Sequence, residues 1–273
     1  DSELFVIKKR TRDPTVIQAP IHLRIQNFVW KYLSRHILTL QRPADREFRS
    51  MNIFPTSISS IINNSGADIV QFHWISFNTV GLPDFARITK PIVWKMPDMW
   101  AFCGSEHYTY WDSRYKDGYT QSNRPPGHGG LDIDRYVWLK KRDYWRTKDF
   151  TIICPSKWLA RCASNSLLFR NRPIHNIPNP VNLEIYKPAA DIKEVRNYLQ
   201  LPLNKKLVLF TSLQKINDPR KGFNYLDACV EHLTKSFDPS SLAIVIMGVK
   251  SAYDSIRGVD IIYTGYLMDD LDI

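Results

Sequence analysis

The sequence predicts an α/β protein in two doubly wound parts, with parallel strands alternating with amphipathic helices. Three observations carry that prediction. Apolar runs of strand length alternate with segments whose apolar residues recur every three or four positions. Several of those runs pass straight into a helix start, as TIICPS does at 151–156. The Pro-Asn-Pro run inside IHNIPNPVNLEIYKP at 174–188 cannot continue a helix and suits a crossing between domains.

The elements follow in order. ELFVIKK at 3–9 reads as a short strand. IHLRIQNFVWKYLSRHILTL at 21–40 reads as a helix, with Ile21, Ile25, Phe28, Val29, Tyr32, Ile37 and Leu40 at helical spacing. Its other face carries Arg24, Lys31 and Arg35, and no acidic residue falls between Asp13 and Asp45. Two readings fit this segment. The plainer is a core helix with a solvated basic face. The other is a basic amphipathic helix, with Trp30 and Tyr32, resting on anionic lipid. ADIVQFHW at 67–74 and PIVWKM at 91–96 read as buried strands, with a short helix between them around 81–88. The Gly-, Pro-, Asp- and Arg-rich stretch 112–130 reads as a long surface loop, of the kind that is functional or mobile. A helix follows over 132–147, capped near Asp132 or Asp134. After strand 151–155, Ser156 is the expected N-cap for KWLARCASNSLLF. The second part repeats the alternation: helix 191–199, strand 206–212, helix 222–237, then strands SLAIVIMG and VDIIYTGY. In helix 222–237 the expected core stripe is Phe223, Leu226, Val230, Leu233 and Phe237.

Composition narrows the class. The chain has 273 residues, 44% of them hydrophobic, enough for a substantial core. Its longest apolar runs suit buried strands and are too short to span a bilayer. No signal-peptide pattern opens the chain, and the first residue is Asp1 rather than Met. Cys103, Cys154, Cys162 and Cys229 form no C-x-x-C pair and fit no zinc or redox spacing. Buried thiols in a reduced, cytoplasmic setting are the expectation. The net charge of +10 permits nucleic acid, an anionic membrane surface or phosphorylated ligands as partners.

Two constellations could carry chemistry. The first, PDMWAFCGSEHYTYW at 97–111, directly follows a buried strand, where open α/β sheets place their ligands. Asp98, Glu106 and His107 cluster there; a carboxylate or imidazole could accept a proton from an attacking hydroxyl, or orient it. Taken alone, the stretch fits an Asp-capped turn and a surface Glu–His pair better. The second is NDPRKGFNYL at 217–226, between a strand and a helix. Arg220 and Lys221 sit at the helix start, where free N–H groups and the dipole attract anions. A solvated Arg-Lys turn fits about as well. His73, ending its strand beside Trp74, could line the same cleft; a satisfied core histidine fits better. P-loop, G-x-S-x-G and H-E-x-x-H patterns are absent from the sequence.

PIVWKMPDMWAFCGSEHY, ICPSKWLARCASNSLLFRNRPIHNIPNPVNLEIYKP and DPRKGFNYLDACVEHL together resemble bacterial family 4 glycosyltransferases of the polysaccharide type. The resemblance covers most of 67–237. It implies a GT-B architecture, two Rossmann-like doubly wound domains facing a cleft, here 1–183 on the acceptor side and 184–273 on the nucleotide-sugar side. It implies retaining transfer from a nucleotide-diphosphate sugar to a saccharide or lipid-linked saccharide acceptor, in cell-surface polysaccharide or lipopolysaccharide synthesis. No metal and no cofactor are expected. Asp98 matches the Asp of the family's His-Asp pair and His107 the His of its following His-Tyr pair. Glu106, between them, is a candidate substrate contact. Lys221 matches the donor-site Lys before Gly, here Gly222, and Arg220 its basic neighbour. Pro97 stands where many members have His, and Pro180 where many have Gly. Cys103 alone remains of the cysteines some relatives carry in that region. The resemblance further implies a chain truncated at both ends, lacking a Gly-rich first loop and a Glu pair of the second domain. Weak donor binding and slow or no turnover by this chain alone are therefore expected.

Two other readings stand beside it. One is a non-catalytic member or fragment of the same fold kept for binding. The other is a basic nucleic-acid-binding protein, against which the basic residues are dispersed and no nucleic-acid motif occurs; no nucleic-acid partner is expected. The localisation expected is cytoplasmic, with peripheral contact at the inner face of an anionic membrane.

Overall fold

In the computed structural model, residues 2–212 and 218–267 are described. The chain divides into two compact units, 1–179 and 180–273.

The first unit is built on a parallel sheet of β4 (Val70–Phe72), β5 (Ile92–Lys95), β7 (Thr151–Cys154) and β8 (Ile174–Asn176), in that order. Helices α3 (Leu82–Arg87), α5 (Ile133–Trp145) and α6 (Lys157–Ser164) make the crossovers that parallel neighbours require. Residues alternate in burial along β5 and β7, so Ile92, Trp94, Ile152 and Cys154 point into one core. Trp94 is its centre, with ring centroids 5.3–6.4 Å from Phe72, Phe85, Trp100, Trp145 and Phe150. Aromatic pairs at these separations add to plain area burial. Ser156 caps α6 by accepting from the Leu159 N–H, and Asp132 caps α5 through the Arg135 N–H.

Two small pairings escape the sequence patterns. β1 (Leu4–Val6) runs parallel to β2 (Val16–Gln18), and β3 (Gln41–Arg42) pairs antiparallel with β6 (Gly129–Gly130). Helix α2 (Ile58–Asn64) is a third addition. The stretch read as an open surface loop, 112–130, is instead packed. It holds the short helix α4 (Arg114–Asp117), buries Tyr115 and Tyr119, and is tied to the Gly129 and Gly130 carbonyls by Arg124.

Helix α1 (Ile21–Leu38) corrects the plainer reading of its segment. Its buried residues are Leu23 and Ser34, and the apolar stripe of Ile21, Ile25, Phe28, Val29 and Tyr32 faces outward. The opposite side docks through polar and aromatic contacts. Trp30 stacks on Phe54 and donates to the Pro55 carbonyl, and Asn27 donates to the Phe77 carbonyl. Periodicity locates a stripe without saying which side meets the core.

The second unit has parallel strands β9 (Lys206–Thr211), β10 (Leu242–Met247) and β12 (Val259–Gly265), with β11 (Ser255–Ile256) antiparallel at the edge beside β12. β10 is central and nearly all buried, as its LAIVIM run demands. Leu226 and Val230 of α8 (Phe223–Leu233) pack on it, while α7 (Ile192–Tyr198) buries no residue. In both sheets the parallel strands add in sequence order in one direction. A doubly wound sheet reverses its order at a switch point; each sheet here carries one winding direction, a parallel α/β order compatible with a Rossmann-like fold. No described helix is long and apolar enough to cross a membrane.

Candidate functional site

The chain leaves β4 at His73 and β5 at Met96, so the carboxyl ends of two adjacent parallel strands present His73, Trp74, Ser76 and Asp98 together. Asp98 closes a tight turn, its Oδ1 accepting from the Trp100 N–H at 3.0 Å. Its Oδ2 lies 2.7 Å from Nδ1 of His107. The returning segment of this turn is fixed by backbone bonds, Met99 N–H to the His107 carbonyl and His107 N–H to the Phe48 carbonyl. A carboxylate facing Nδ1 places the ring proton there and orients Nε2 as an acceptor. Nε2 meets the Ser50 hydroxyl at 3.0 Å and the Ser76 hydroxyl at 3.3 Å. The imidazole lies among Phe48, Trp74 and Trp100, with centroids 4.6, 6.0 and 6.1 Å away. A Ser–His–Asp chain of hydrogen bonds thus forms under an aromatic cover. Asp98 is 7% and His107 1% exposed, and the hollow beside Asp98 has a volume of about 10 Å³, room for about one water.

Of the residues singled out by sequence, Asp98 and His107 are brought together. Glu106 is not aimed at this hollow. It is fully enclosed, accepting from the Tyr119 hydroxyl and lying near Asp134. Burial, and after it the charge of Asp134, push the Glu106 carboxyl up to about 8. Burial acts the same way on Asp134. There the charge of Arg49 and the Ser105 hydroxyl overcome it, and Asp134 stays below the usual carboxylate range. Arg49 bridges Asp134 and Asp45, with contacts of 3.2 and 2.7 Å. Glu106 in this conformation offers a substrate no open contact; it is a member of a buried polar network.

The same network holds the turn that carries the site. Lys141 of α5, fully buried, sends its ammonium to the carbonyls of Trp100, Cys103 and Gly104 and lies 3.6 Å from the Trp100 ring centroid. Burial lowers it to about 7, against the pull of surrounding acidic groups. Gly104 has to be glycine, because a Cβ would come 2.5 Å from the Asp134 carbonyl oxygen and 2.6 Å from Oε2 of Glu106.

His73 corrects its core reading. It is exposed at the mouth of the hollow, within 3.0 Å of the Gln71 amide, and burial together with Lys95 lowers its pKa. Ser50, Ser76 and Lys141 had no signal in the sequence: they reach the site from 57, 31 and up to 41 residues away, and none stands in a motif.

The second constellation lies in the other unit. Asn217, with which the NDPRKG run begins, lies outside the described residues. Residues Pro219–Lys221 form a 3₁₀ turn, and Gly222, at φ +76°, starts α8. A left-handed backbone there favours glycine. The structure places Arg220 against Asp218 instead of facing an open anion site: Nε and Nη2 reach the two carboxylate oxygens at 3.0 and 2.6 Å. Arg220 in turn holds Asp218 below its ordinary pKa. The ammonium of Lys221 makes no hydrogen bond among the described residues, and its N–H bonds the Asp218 carbonyl at 2.9 Å.

A larger hollow of about 740 Å³ opens at the other end of the first sheet, beside Pro91, Thr151 and Pro173, where the strands begin. Its Arg172 is spent on the Lys148 and Trp145 carbonyls and on the Phe150 ring, and Arg142, Arg146, Asp149 and Asn171 complete its polar lining. Among the described residues no group of three or more His, Cys, Asp or Glu is placed to hold a metal ion. Cys103, Cys154 and Cys162 are buried free thiols; Cys229 is exposed, against the expectation for it. No family model matches the chain, and no curated protein matches it.

Proposed function

We propose that the chain is a sugar-nucleotide-dependent glycosyltransferase. In this reading the two units are the two Rossmann-like domains of a GT-B enzyme, and a sugar passes with retention to an acceptor hydroxyl of a saccharide or lipid-linked saccharide. The assembly served is a cell-surface polysaccharide or lipopolysaccharide. The observation that carries the reading is the Asp98–His107 pair, hydrogen-bonded at 2.7 Å at the carboxyl end of a parallel strand, where α/β sheets gather ligand chemistry.

The roles follow from the groups. Transfer breaks the bond between the anomeric carbon and the diphosphate oxygen and forms one to the acceptor oxygen. Asp98, oriented by His107, receives or directs the acceptor proton. The departing diphosphate carries the negative charge. Lys221, the N–H groups at the start of α8, and Arg220 exchanging Asp218 for phosphate would meet it. A photoreactive nucleotide-sugar analogue tests this directly. It should label the peptide 218–226, with protection by the unmodified nucleoside diphosphate. Labelling elsewhere only, or without protection, contradicts the donor site.

One observation favours the second reading, a binding module without turnover: the hollow at Asp98 holds about one water. Asp98→Asn separates the two readings. A transferase loses turnover by roughly a hundredfold or more and keeps donor binding; a binding module changes in neither.

A further inference from the structure

Helix α1 presents to solvent the face that a core helix would hide. At 100° per residue, Ile21, Ile25, Phe28 and Tyr32 form one crest, at i, i+4, i+7 and i+11. They are 64%, 56%, 71% and 61% exposed. Scattered apolar residues are ordinary on a surface, but a contiguous crest of this size marks a contact site. Arg24, Lys31 and Arg35 run along one flank of the crest, and the helix contains no acidic residue. A second basic group adjoins the helix start. Lys8, Lys9, Arg10 and Arg12 lie in the β1–β2 connection, which the Ala19 N–H to Val6 carbonyl bond and the Lys9 N–H to Gln18 bond tie to that end.

We infer that α1 lies in the plane of an anionic bilayer, its crest in the headgroup–acyl boundary and its basic flank on the lipid phosphates. Charge decides the occupant. A second copy of the chain would set two basic helix faces without an acidic residue against each other. An anionic lipid surface supplies a diffuse negative field for the flank and an apolar layer for the crest. The docking of α1 through Trp30, Asn27 and Gln26 leaves the crest free for this without unfolding. The inference does not rest on the transferase reading and survives its failure.

Vesicle flotation of the purified chain tests it, with phosphatidylcholine alone and with phosphatidylcholine mixed with phosphatidylglycerol. The chain should float with the mixed vesicles, not with the neutral ones, and added salt should release it. Phe28→Ser/Tyr32→Ser keeps every charge and should weaken partitioning about tenfold or more. Arg24→Gln/Lys31→Gln/Arg35→Gln keeps the crest and should weaken it about a hundredfold, at about fivefold per basic residue. Circular dichroism superposable on the parent's confirms that both variants are folded. The inference is overturned if the parent stays unbound to mixed vesicles, or if the crest variant floats as well as the parent. It is equally overturned if sedimentation velocity shows a dimer that the crest variant dissolves, which would make the occupant a second copy.

Discussion

Replacing Glu106 by Gln isolates the buried carboxyl network as a pH-dependent element of stability. Gln keeps the acceptor that the Tyr119 hydroxyl uses at Oε1 and supplies a neutral donor where protonated Glu106 would give a hydrogen bond to Asp134. In the fold the carboxyl is raised from 4.5 to about 8. Between those values the folded chain holds a proton that the unfolded chain has released. Stability from this group is therefore complete below about pH 4.5 and is lost as pH rises through about 8. At about 1.4 kcal/mol per unit, the full displacement corresponds to at most about 5 kcal/mol, and sharing with Asp134 lowers it. Lys141 acts with the opposite sign. Its folded value of about 7 against 10.5 makes stability rise with pH above neutrality, and loss of the Glu106 charge, which holds Lys141 up, steepens that rise in Glu106→Gln. Urea unfolding at about pH 5 and about pH 8.5 should give nearly equal stabilities at the lower pH. At the higher pH Glu106→Gln should be more stable by several kcal/mol. Parallel pH profiles for the two proteins would refute a raised Glu106 and the network drawn around it.

Three further changes follow from the same contacts. Lys141→Met leaves the Trp100, Cys103 and Gly104 carbonyls without their donor; a loss of about 3–5 kcal/mol is expected in urea unfolding. Gly222→Ala forces an L side chain to φ +76° with its Cβ 3.1 Å from Tyr225, so a cost of about 1–2 kcal/mol is expected, read as a lower melting temperature. Asp218→Asn releases Arg220 from its carboxylate and removes a negative charge from the proposed diphosphate site; nucleotide titration should show tighter binding, by about fivefold.

Local signals carried much of the fold. The strands 92–95, 151–154 and 242–247 announce themselves because each is a short apolar run next to turn residues. Ser156 was legible as a cap because capping is a three-residue interaction, Ser156 to Leu159. Asp98 and His107 were legible as members of one cluster with Glu106, because nine residues separate them around a single turn; which of the two acids meets the imidazole was not. What failed was long-range. The hydroxyls of Ser50 and Ser76 join the imidazole only through tertiary packing, and Lys141 looks in sequence like any surface lysine on a helix. Glu106, beside His107 in sequence, points the other way because neighbours on an extended segment alternate faces. Arg220 was read by charge alone, which does not count the Asp218 two residues before it. For α1 the period was right and the plainer, core-facing direction was not, because Trp30, Gln26 and Asn27 dock a helix as firmly as an apolar stripe does.

The most direct measurement is thermal stabilisation by a panel of nucleoside diphosphates and nucleotide sugars, on the parent chain and on Arg220→Ala/Lys221→Ala. Nucleotides of one base should raise the melting temperature of the parent and leave the double variant unmoved. No shift with any nucleotide, or a shift that persists in the double variant, would contradict the proposed donor site.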